Sequence, residues 1–258
     1  MLNGYDNAAI ILASVVLSCC LLLLLNRLWP STHRRPHNDV IGWQLAIIGT
    51  IYAVVIGFMI FAVWGNYQAA DMNVDNEASA LIDLYQIADG LPVQQRDTIQ
   101  NLTKEYAHVL IEKEWPAMNV GNPGTAAHPI VQKLWSAVIG TQATTNLEQT
   151  SLSHAMDQLS ALVQDRHIRQ MQGEASLPAI LWAVLICGGM ITIISACFIG
   201  SENTRLHFIL ILSLSAIISL VLVAISDIDG PFQGSVHIKS DAFVYVLDTM
   251  NSHTNVPR

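Results

Sequence analysis

Four apolar stretches constrain the fold of this chain more than any other feature. They cover residues 7–29, 41–67, 177–200 and 206–225. Each is about as long as the roughly 20 residues that an α-helix needs to cross a bilayer. The second stretch has Trp43 near one end and Trp64 and Tyr67 near the other, and such rings prefer the two membrane interfaces. We therefore predict four transmembrane helices.

The composition also indicates a membrane protein. Of the 258 residues, 52% are hydrophobic and only 12% are charged, whereas a soluble domain carries about 25% charged residues. This balance argues against a soluble enzyme, and the high apolar content excludes a disordered chain. The net charge of −8 argues against a nucleic-acid partner, because phosphates are neutralised by a basic surface.

A segment of different composition, residues 68–175, lies between the second and third spans. It contains 13 acidic and 6 basic residues, and its apolar residues recur with a helical period. The predicted fold is an all-α integral membrane protein with four transmembrane helices and an acidic soluble helical domain inserted between the second and third spans. The transmembrane hairpins are residues 1–67 and 176–226, and residues 227–258 form a C-terminal tail.

Within residues 68–175, breakers and capping residues predict where the helices begin and end. No stop signal precedes Asp89-Gly90, so the second span is expected to continue into this domain as one long helix. The next helix begins near Pro92 and ends at Pro116. A longer helix opens at Thr145 to Glu148, a capping-box pattern, and carries an apolar seam with 4-3-4 spacing. The seam residues are Leu152, Met156, Leu159 and Val163.

Basic residues in the short loops predict the orientation in the membrane. The loops after the first and third spans contain Arg27, Arg34, Arg35 and Arg205, and loops of this kind stay in the cytoplasm. We therefore expect a multi-pass protein of the plasma (inner) membrane, with both termini and the acidic domain on the non-cytoplasmic side. Arg166 and Arg169 precede the third span and oppose this assignment.

Two sets of residues are candidates for an ion path. Gly49, Ala53 and Gly57 form a small-residue face on the second span, which borders either a pore or a neighbouring subunit. Carboxylates gathered near the membrane ends attract cations, as rings of Asp or Glu do in cation channels. These carboxylates are Asp71, Asp75, Glu77, Asp227 and Asp229. The alternative is that Asp227 and Asp229 cap a turn and the others are solvated.

Other chemistry has little support in the sequence, and we predict no catalytic residue, cofactor or metal. Glu105, His108 and Glu112 share a helical face, but a di-metal site needs a second such helix, so an exposed salt-bridged face is favoured. The four cysteines lie in apolar runs and act as small hydrophobic residues. Small residues of the third and fourth spans, such as Gly188 and Gly189, favour close helix packing.

Several short motifs together resemble the bestrophin-like domain family. They are Glu77-Ala-Ser-Ala-Leu81, Tyr106-Ala107, Glu114-Trp115-Pro116, Leu177-Pro178 with Trp182, and Asp229-Gly-Pro231-Phe232-Gln-Gly234. Bestrophins are pentameric anion channels with four spans per subunit, a pore lined by the second span and a cytosolic helical region. The resemblance therefore implies an oligomeric channel. It does not extend to the bulky apolar residues of the bestrophin neck.

The function expected from the sequence is a homo-oligomeric membrane ion channel with its pore lined by the second span, and the resemblance implies that the oligomer is a pentamer. The resemblance implies anions, whereas the acids near the membrane ends favour cations, including Ca²⁺. Glu114 and Trp115 are expected to anchor the helical domain, with Trp115 buried and Glu114 paired. The alternative is a non-conducting scaffold or accessory subunit, in which Met156, Leu159 and Val163 bind a partner protein.

Overall fold

The computed structural model describes residues 4–122 and 124–254, and within these residues all regular structure is helical. This confirms the all-α prediction. The α-helices are α1 Gly4–Leu28, α2 Ser31–Arg34, α3 Asn38–Ile87, α4 Val93–Val109, α5 Trp115–Asn119, α6 His128–Ile139, α7 Asn146–Glu174, α8 Ala179–Cys197, α9 Thr204–Ile228 and α10 Asp241–Thr254. Four of them, α1, α3, α8 and α9, are long and apolar enough to cross a membrane by length and composition.

The chain divides into two compact units. The first unit contains residues 4–65 and 176–229, and the second contains residues 66–122, 124–175 and 230–254. Helix α3 contributes to both units. It runs for 50 residues without a break and is followed by the 3₁₀ turn Ala88–Gly90. The expectation that the second span continues to Asp89-Gly90 is therefore confirmed.

Close packing of small residues characterises the first unit. The hydroxyl of Ser219 on α9 donates to that of Ser14 on α1 at 2.8 Å. The Tyr52 hydroxyl on α3 donates to the Leu185 carbonyl on α8 at 2.9 Å. A Cβ atom added at Gly188 would lie 2.6 Å from Cδ2 of the Tyr52 ring. The predicted role of small residues in close helix packing is thus confirmed at this glycine.

The second unit has its own apolar core, to which α7 contributes a face that overlaps the expected seam only in part: Leu159 is buried there, and Leu152 and Val163 pack against it. Met156 is exposed, and Leu152 and Val163 are only partly buried. The buried residues of α7 are Ala155, Leu159, Leu162, Arg166 and Arg169. The expected seam is therefore confirmed at Leu159 and wrong at Met156. Two of the five buried positions of α7 are arginines, which a search for apolar periodicity does not count. The capping box of Thr145 and Glu148 is present as expected.

Pro116 does not end the helical segment that begins after Pro92. Helix α4 passes into a π-helical turn, Leu110–Glu114, and then into α5, whose first turn contains Pro116. Pro116 directly follows the π turn, where the regular i→i−4 hydrogen bonding of the helix is already interrupted, so the missing N–H does not end the segment. The expected end at Pro116 is therefore wrong, and the helical segment continues to Asn119.

The sequence analysis assigns no structure to the C-terminal tail, but much of it folds with the second unit. Helix α10 places Phe243, Val246 and Met250 in the core of that unit. The Tyr85 hydroxyl donates to the Met250 carbonyl at 3.1 Å, which ties α10 to α3.

Candidate functional site

A cluster of buried charged side chains lies at the centre of the second unit. Glu77 of α3, Glu114 of the π turn and Arg169 of α7 are each at most 1% exposed, and Arg166 of α7 is 4% exposed. The hydroxyl of Tyr106 on α4 completes the cluster. We call these five residues the charge cluster, and its members come from four different elements.

Glu114 is the most connected member of the charge cluster. Its two carboxylate oxygens accept hydrogen bonds from Nη1 and Nη2 of Arg166 at 2.9 and 2.7 Å. Oε1 also accepts from the Ala127 backbone N–H at 2.7 Å, and Oε2 from Arg169 Nη2 at 3.2 Å. Such bidentate guanidinium–carboxylate pairs fix both the distance and the plane of the two groups.

Glu77 binds the other arginine. Its Oε2 accepts from Arg169 Nε at 2.6 Å, and its Oε1 accepts from Arg169 Nη2 at 3.1 Å. The Tyr106 hydroxyl donates to Glu77 Oε1 at 2.5 Å and accepts from Arg166 Nη1 at 3.2 Å. Each oxygen of the two carboxylates in the charge cluster therefore accepts at least one hydrogen bond from a protein group.

Burial and the neighbouring charges shift the pKa values of the cluster. Burial raises the pKa of Tyr106 well above its usual range, and the charge of Glu77 raises it further. Burial alone would lower the pKa of Arg169, but the charge and hydrogen bonds of Glu77, together with the contributions of Tyr106 and Glu114, raise it overall. Burial also raises the pKa of Asp165, and Glu77 adds to that shift. The arginines stay charged and Tyr106 stays neutral across the physiological range.

Chemically, the charge cluster is a closed and electrically balanced anchor. Two carboxylates face two guanidinium groups, while Arg166 Nη2 also donates to the Gly124 carbonyl and Arg169 Nη1 donates to the Met118 sulfur. The Arg169 guanidinium also lies 5.3 Å from the centre of the Trp115 ring, a favourable cation–π distance. The arrangement fastens α3 to α4, α7 and the π turn.

The motif Glu114-Trp115 meets the motif Pro231-Phe232-Gln-Gly234 in this unit. Trp115 is buried, and its ring contacts that of Phe232 edge-on at 5.9 Å between centroids. Its indole N–H donates to the Ile238 carbonyl at 3.0 Å. The expectation that Trp115 is buried and Glu114 is paired is confirmed.

The turn after α9 explains the glycine and proline of the second motif. Gly234 has a φ of 83°, a value that residues with a Cβ atom rarely adopt. Pro231 is buried, and its carbonyl accepts a hydrogen bond from the Ile238 N–H at 2.8 Å. The turn thereby brings Phe232 to Trp115.

The remaining motif residues lie together in the first unit. Pro178 is the N-cap of α8. Both carboxylate oxygens of Asp229 accept from the Leu177 N–H, at 2.9 and 3.1 Å, and the Trp182 side chain donates to the same carboxylate. Asp229 therefore binds the backbone just before α8. The alternative from the sequence, in which Asp227 and Asp229 cap a turn, agrees with this only in that Asp229 holds a backbone N–H.

The other residues proposed for an ion path occupy different environments. Ala53, Gly57, Asp71 and Asp75 are exposed on α3, and added Cβ atoms at Gly49 and Gly57 would meet nothing within 4 Å. Glu77 is instead buried in the charge cluster, on the opposite face of α3. Its carboxylate is therefore not a solvated acid. Asp227 is partly buried.

The face of Glu105, His108 and Glu112 is exposed and salt-bridged, as the sequence favours. His108 Nδ1 lies 3.5 Å from Glu112 Oε1, and Lys133 Nζ lies 3.9 Å from Glu105 Oε1. In the described residues no group of three or more His, Cys, Asp or Glu side chains is placed to hold a metal ion.

The sequence reasoning missed the role of Arg166 and Arg169, which it used only as evidence on orientation. A local signal was available, because both arginines continue the spacing of Ala155, Leu159 and Leu162 along one face of α7. Charged residues in register with a core face indicate buried partners. The identity of those partners has no local signal, since Glu77 lies 92 residues from Arg169.

Comparisons with known proteins agree on the fold and the family. Two solved structures resemble this chain: a substituted form of a bacterial bestrophin homologue from Klebsiella pneumoniae, with a TM-score of 0.73, and a substituted form of a protein described as a membrane protein, with a TM-score of 0.72. Each shares 10% sequence identity and covers 95% of this chain and 99% of its own. No curated protein matches the sequence at a significant level. The family model of the Bestrophin-like domain matches residues 12–243, and the chain therefore belongs to the Bestrophin-like family of membrane proteins.

Proposed function

We propose that this protein is a homo-oligomeric membrane ion channel whose pore is lined by α3. Family membership supports a channel, because bestrophins are membrane ion channels and oligomers. The observation that carries the assignment of the pore is the continuous exposed face of α3. The four helices α1, α3, α8 and α9 are proposed as the spans, since each is long and apolar enough.

The two faces of α3 differ along its length. One face supplies core residues, such as Tyr52 and Val63 in the first unit and Val74 and Leu81 in the second. The other face carries an exposed stripe whose members are three or four residues apart. This α3 stripe consists of Ala53, Gly57, Phe61, Trp64, Gln68, Asp71 and Asp75.

The α3 stripe has the properties of a surface around an oligomer axis. At 3.6 residues per turn, its members stay on one side of the helix over about six turns. Its small residues leave open space in a single chain, since a Cβ atom at Gly57 would meet nothing within 4 Å. Small residues allow close approach of a neighbouring helix in lipid or leave a passage open. A ring of α3 helices would repeat this stripe around a pore.

We propose a cation preference, including permeation by Ca²⁺, set by Asp71 and Asp75. Both side chains are exposed, lie four residues apart on the α3 stripe, and would form two acidic rings in an oligomer. Acidic rings attract cations and repel anions. The buried Glu77 and the backbone-bound Asp229 do not contribute to this proposal. Asp227 is also left out of this proposal, because it interacts with another group of the folded chain.

The test is the reversal potential of the purified protein in planar bilayers under a KCl gradient and then a CaCl₂ gradient. We expect a shift toward the cation equilibrium potential, weakened in the double variant Asp71→Asn and Asp75→Asn. The matched control is Asp157→Asn with Asp248→Asn, which removes two exposed charges from α7 and α10. An anion-directed shift would contradict the role of the acids. The absence of any current from well-folded oligomers would favour the non-conducting scaffold.

The orientation is a separate part of the proposal. The arginines of the loops after α1 and α8 favour the cytoplasm for those loops, and hence the non-cytoplasmic side of the plasma membrane for both termini and the second unit. Cysteines introduced at the exposed positions Thr32 and Gln149, in a cysteine-free background, would report it. An impermeant maleimide added outside intact cells should label Gln149→Cys alone. Labelling of Thr32→Cys alone would show that the orientation is the opposite of the one proposed.

A further inference from the structure

Two loops at one end of the first unit are tied into a single platform. We call residues 26–43 and 198–207 the arginine platform. The side chain of Asn38 and the backbone of Gly200 exchange two hydrogen bonds, each of 2.8 Å. The ring of Trp29 meets that of Phe198 edge-on at 6.1 Å. A Cβ atom at Gly200 would lie 2.7 Å from the Arg35 nitrogen, so the loops are in close backbone contact.

The arginine platform carries an excess of positive charge. It contains four arginines, Arg27, Arg34, Arg35 and Arg205, against the two acids Asp39 and Glu202. The excess stands out because the chain as a whole has a net charge of −8. Arg35 Nη1 binds Glu202 Oε1 at 2.9 Å, while Arg205 is exposed. The platform therefore presents positive charge where most of the protein is acidic.

Arg34 shows that this charge is not balanced internally. Its side chain is 0% exposed, and its Nη1 donates to the Cys197 carbonyl at 2.6 Å while Nη2 donates to the Asn26 side-chain oxygen. Both acceptors are uncharged. Among the residues that the structure describes, the Nε atoms of Arg34 and Arg35 have no hydrogen-bond acceptor. These Nε atoms are buried, so they are not themselves open to a ligand, but no carboxylate in the hydrogen bonds of Arg34 offsets its charge. The more exposed guanidinium groups of Arg35 and Arg205 are the ones that suit a phosphate, which arginine binds with two parallel hydrogen bonds.

Exposed apolar side chains elsewhere in the arginine platform favour a phosphate on a lipid. Leu28 is 74% exposed, Val40 68% and Trp43 73%, and Trp43 belongs to a membrane-length helix. Exposed tryptophans at the end of a span lie at the level of the lipid headgroups. We call Leu28, Val40 and Trp43 the apolar rim. A ligand that contacts both the apolar rim and the arginines has an acyl chain and an anionic headgroup.

We propose that the arginine platform binds the headgroup phosphate of an anionic phospholipid. Arg35 and Arg205 supply the accessible charge, and the buried Arg34 adds positive potential beneath them. The apolar rim of Leu28, Val40 and Trp43 holds the acyl chains. The lipid site can be tested independently of the pore proposed for α3, because the measurement of lipid retention does not require a current.

The test compares retention of phosphatidylglycerol and phosphatidylcholine by the full chain, measured by native mass spectrometry after detergent exchange. An arginine near a membrane surface contributes a factor of about five in binding to anionic lipid. We expect the double variant Arg35→Gln and Arg205→Gln to lose about thirtyfold of its preference for phosphatidylglycerol. Lys113→Gln with Lys133→Gln, which removes two exposed cations from the second unit, is the matched control.

Several results would overturn the proposal. They are equal retention of the two lipids by the unsubstituted protein, an equal loss in the lysine control, and displacement of phosphatidylglycerol by an equal concentration of inorganic phosphate. If the double variant does not fold, Arg205→Gln alone decides. Its side chain is exposed, and a loss of about fivefold is expected. An unchanged preference in that variant would contradict the proposal.

Discussion

The two units of this protein achieve a buried interior in different ways. In the first unit, buried polar groups mostly bind carbonyls or each other, as Tyr52 binds the Leu185 carbonyl and Ser219 binds Ser14. In the second unit, two ion pairs lie at the centre of the core. Stability in the first unit therefore depends on the shape of packed surfaces. Stability in the second unit depends also on the completeness of a set of charges.

This comparison predicts different sensitivities to substitution. A buried ion pair contributes little net free energy relative to a well-packed apolar pair, but the loss of one partner leaves an uncompensated charge. A packed glycine contact is sensitive to a different change, because added side-chain volume destabilises it whereas a change of charge elsewhere does not.

The largest effect is expected from Arg169→Met in the second unit. Loss of this guanidinium leaves Glu77 buried with Tyr106 as its remaining partner, so we expect the free energy of unfolding to fall by about 3–5 kcal/mol. Chemical unfolding in lipid nanodiscs, followed by circular dichroism, measures it. The control is Lys133→Met, whose surface pair with Glu105 contributes less than about 1 kcal/mol. Equal effects of the two substitutions would mean that the charge cluster is not a stabilising anchor.

A smaller effect is expected from Gly188→Ala in the first unit. The added Cβ atom would lie 2.6 Å from Tyr52 Cδ2, and such overpacking costs about 1–3 kcal/mol. Gly57→Ala is the matched control, because its Cβ atom would meet nothing within 4 Å. Thermal unfolding of both variants measures the difference. Addition of Tyr52→Leu to Gly188→Ala should recover part of the loss, and the absence of any recovery would place the strain elsewhere.

The smallest effect is a change in alkaline stability on replacement of Tyr106 by Phe. The pKa of Tyr106 is raised in the folded protein, so the native state keeps this proton after the unfolded chain has lost it. The free energy of unfolding therefore falls as the pH rises above about 10, by about 1.4 kcal/mol per pH unit. Tyr106→Phe should remove this slope. Tyr245→Phe, which removes an exposed hydroxyl, is the control, and equal slopes in both variants would contradict the assignment.

The sequence predicts the apolar helices well because the relevant signal is local. The length of α3 follows from the absence of a breaker before Asp89-Gly90, and the start of α7 follows from the capping box of Thr145 and Glu148. Hydrophobicity and capping act over a few residues, so a single segment contains the information. The same holds for the choice of Gly188 as a packing residue.

The charge cluster could not be predicted in the same way. Arg166 and Arg169 occupy core positions of α7, but their partners Glu114 and Glu77 lie 52 and 92 residues away in the sequence. Only the folded chain brings these groups together. The π turn at Leu110–Glu114 also has no breaker to announce it, and Pro116 suggested an end instead. Local patterns therefore identify the elements of the second unit but not the contacts that fasten them.

The central claim is that the exposed face of α3 lines the conduction path, and cysteine modification tests it most directly. Ala53→Cys in a cysteine-free channel would be exposed to a positively charged methanethiosulfonate reagent during current recording. The control is Ser213→Cys, also exposed but on α9. We expect modification at Ala53 to block most of the current and modification at Ser213 to leave it unchanged. An unblocked current after complete labelling at Ala53, or an equal block at both positions, would contradict the account.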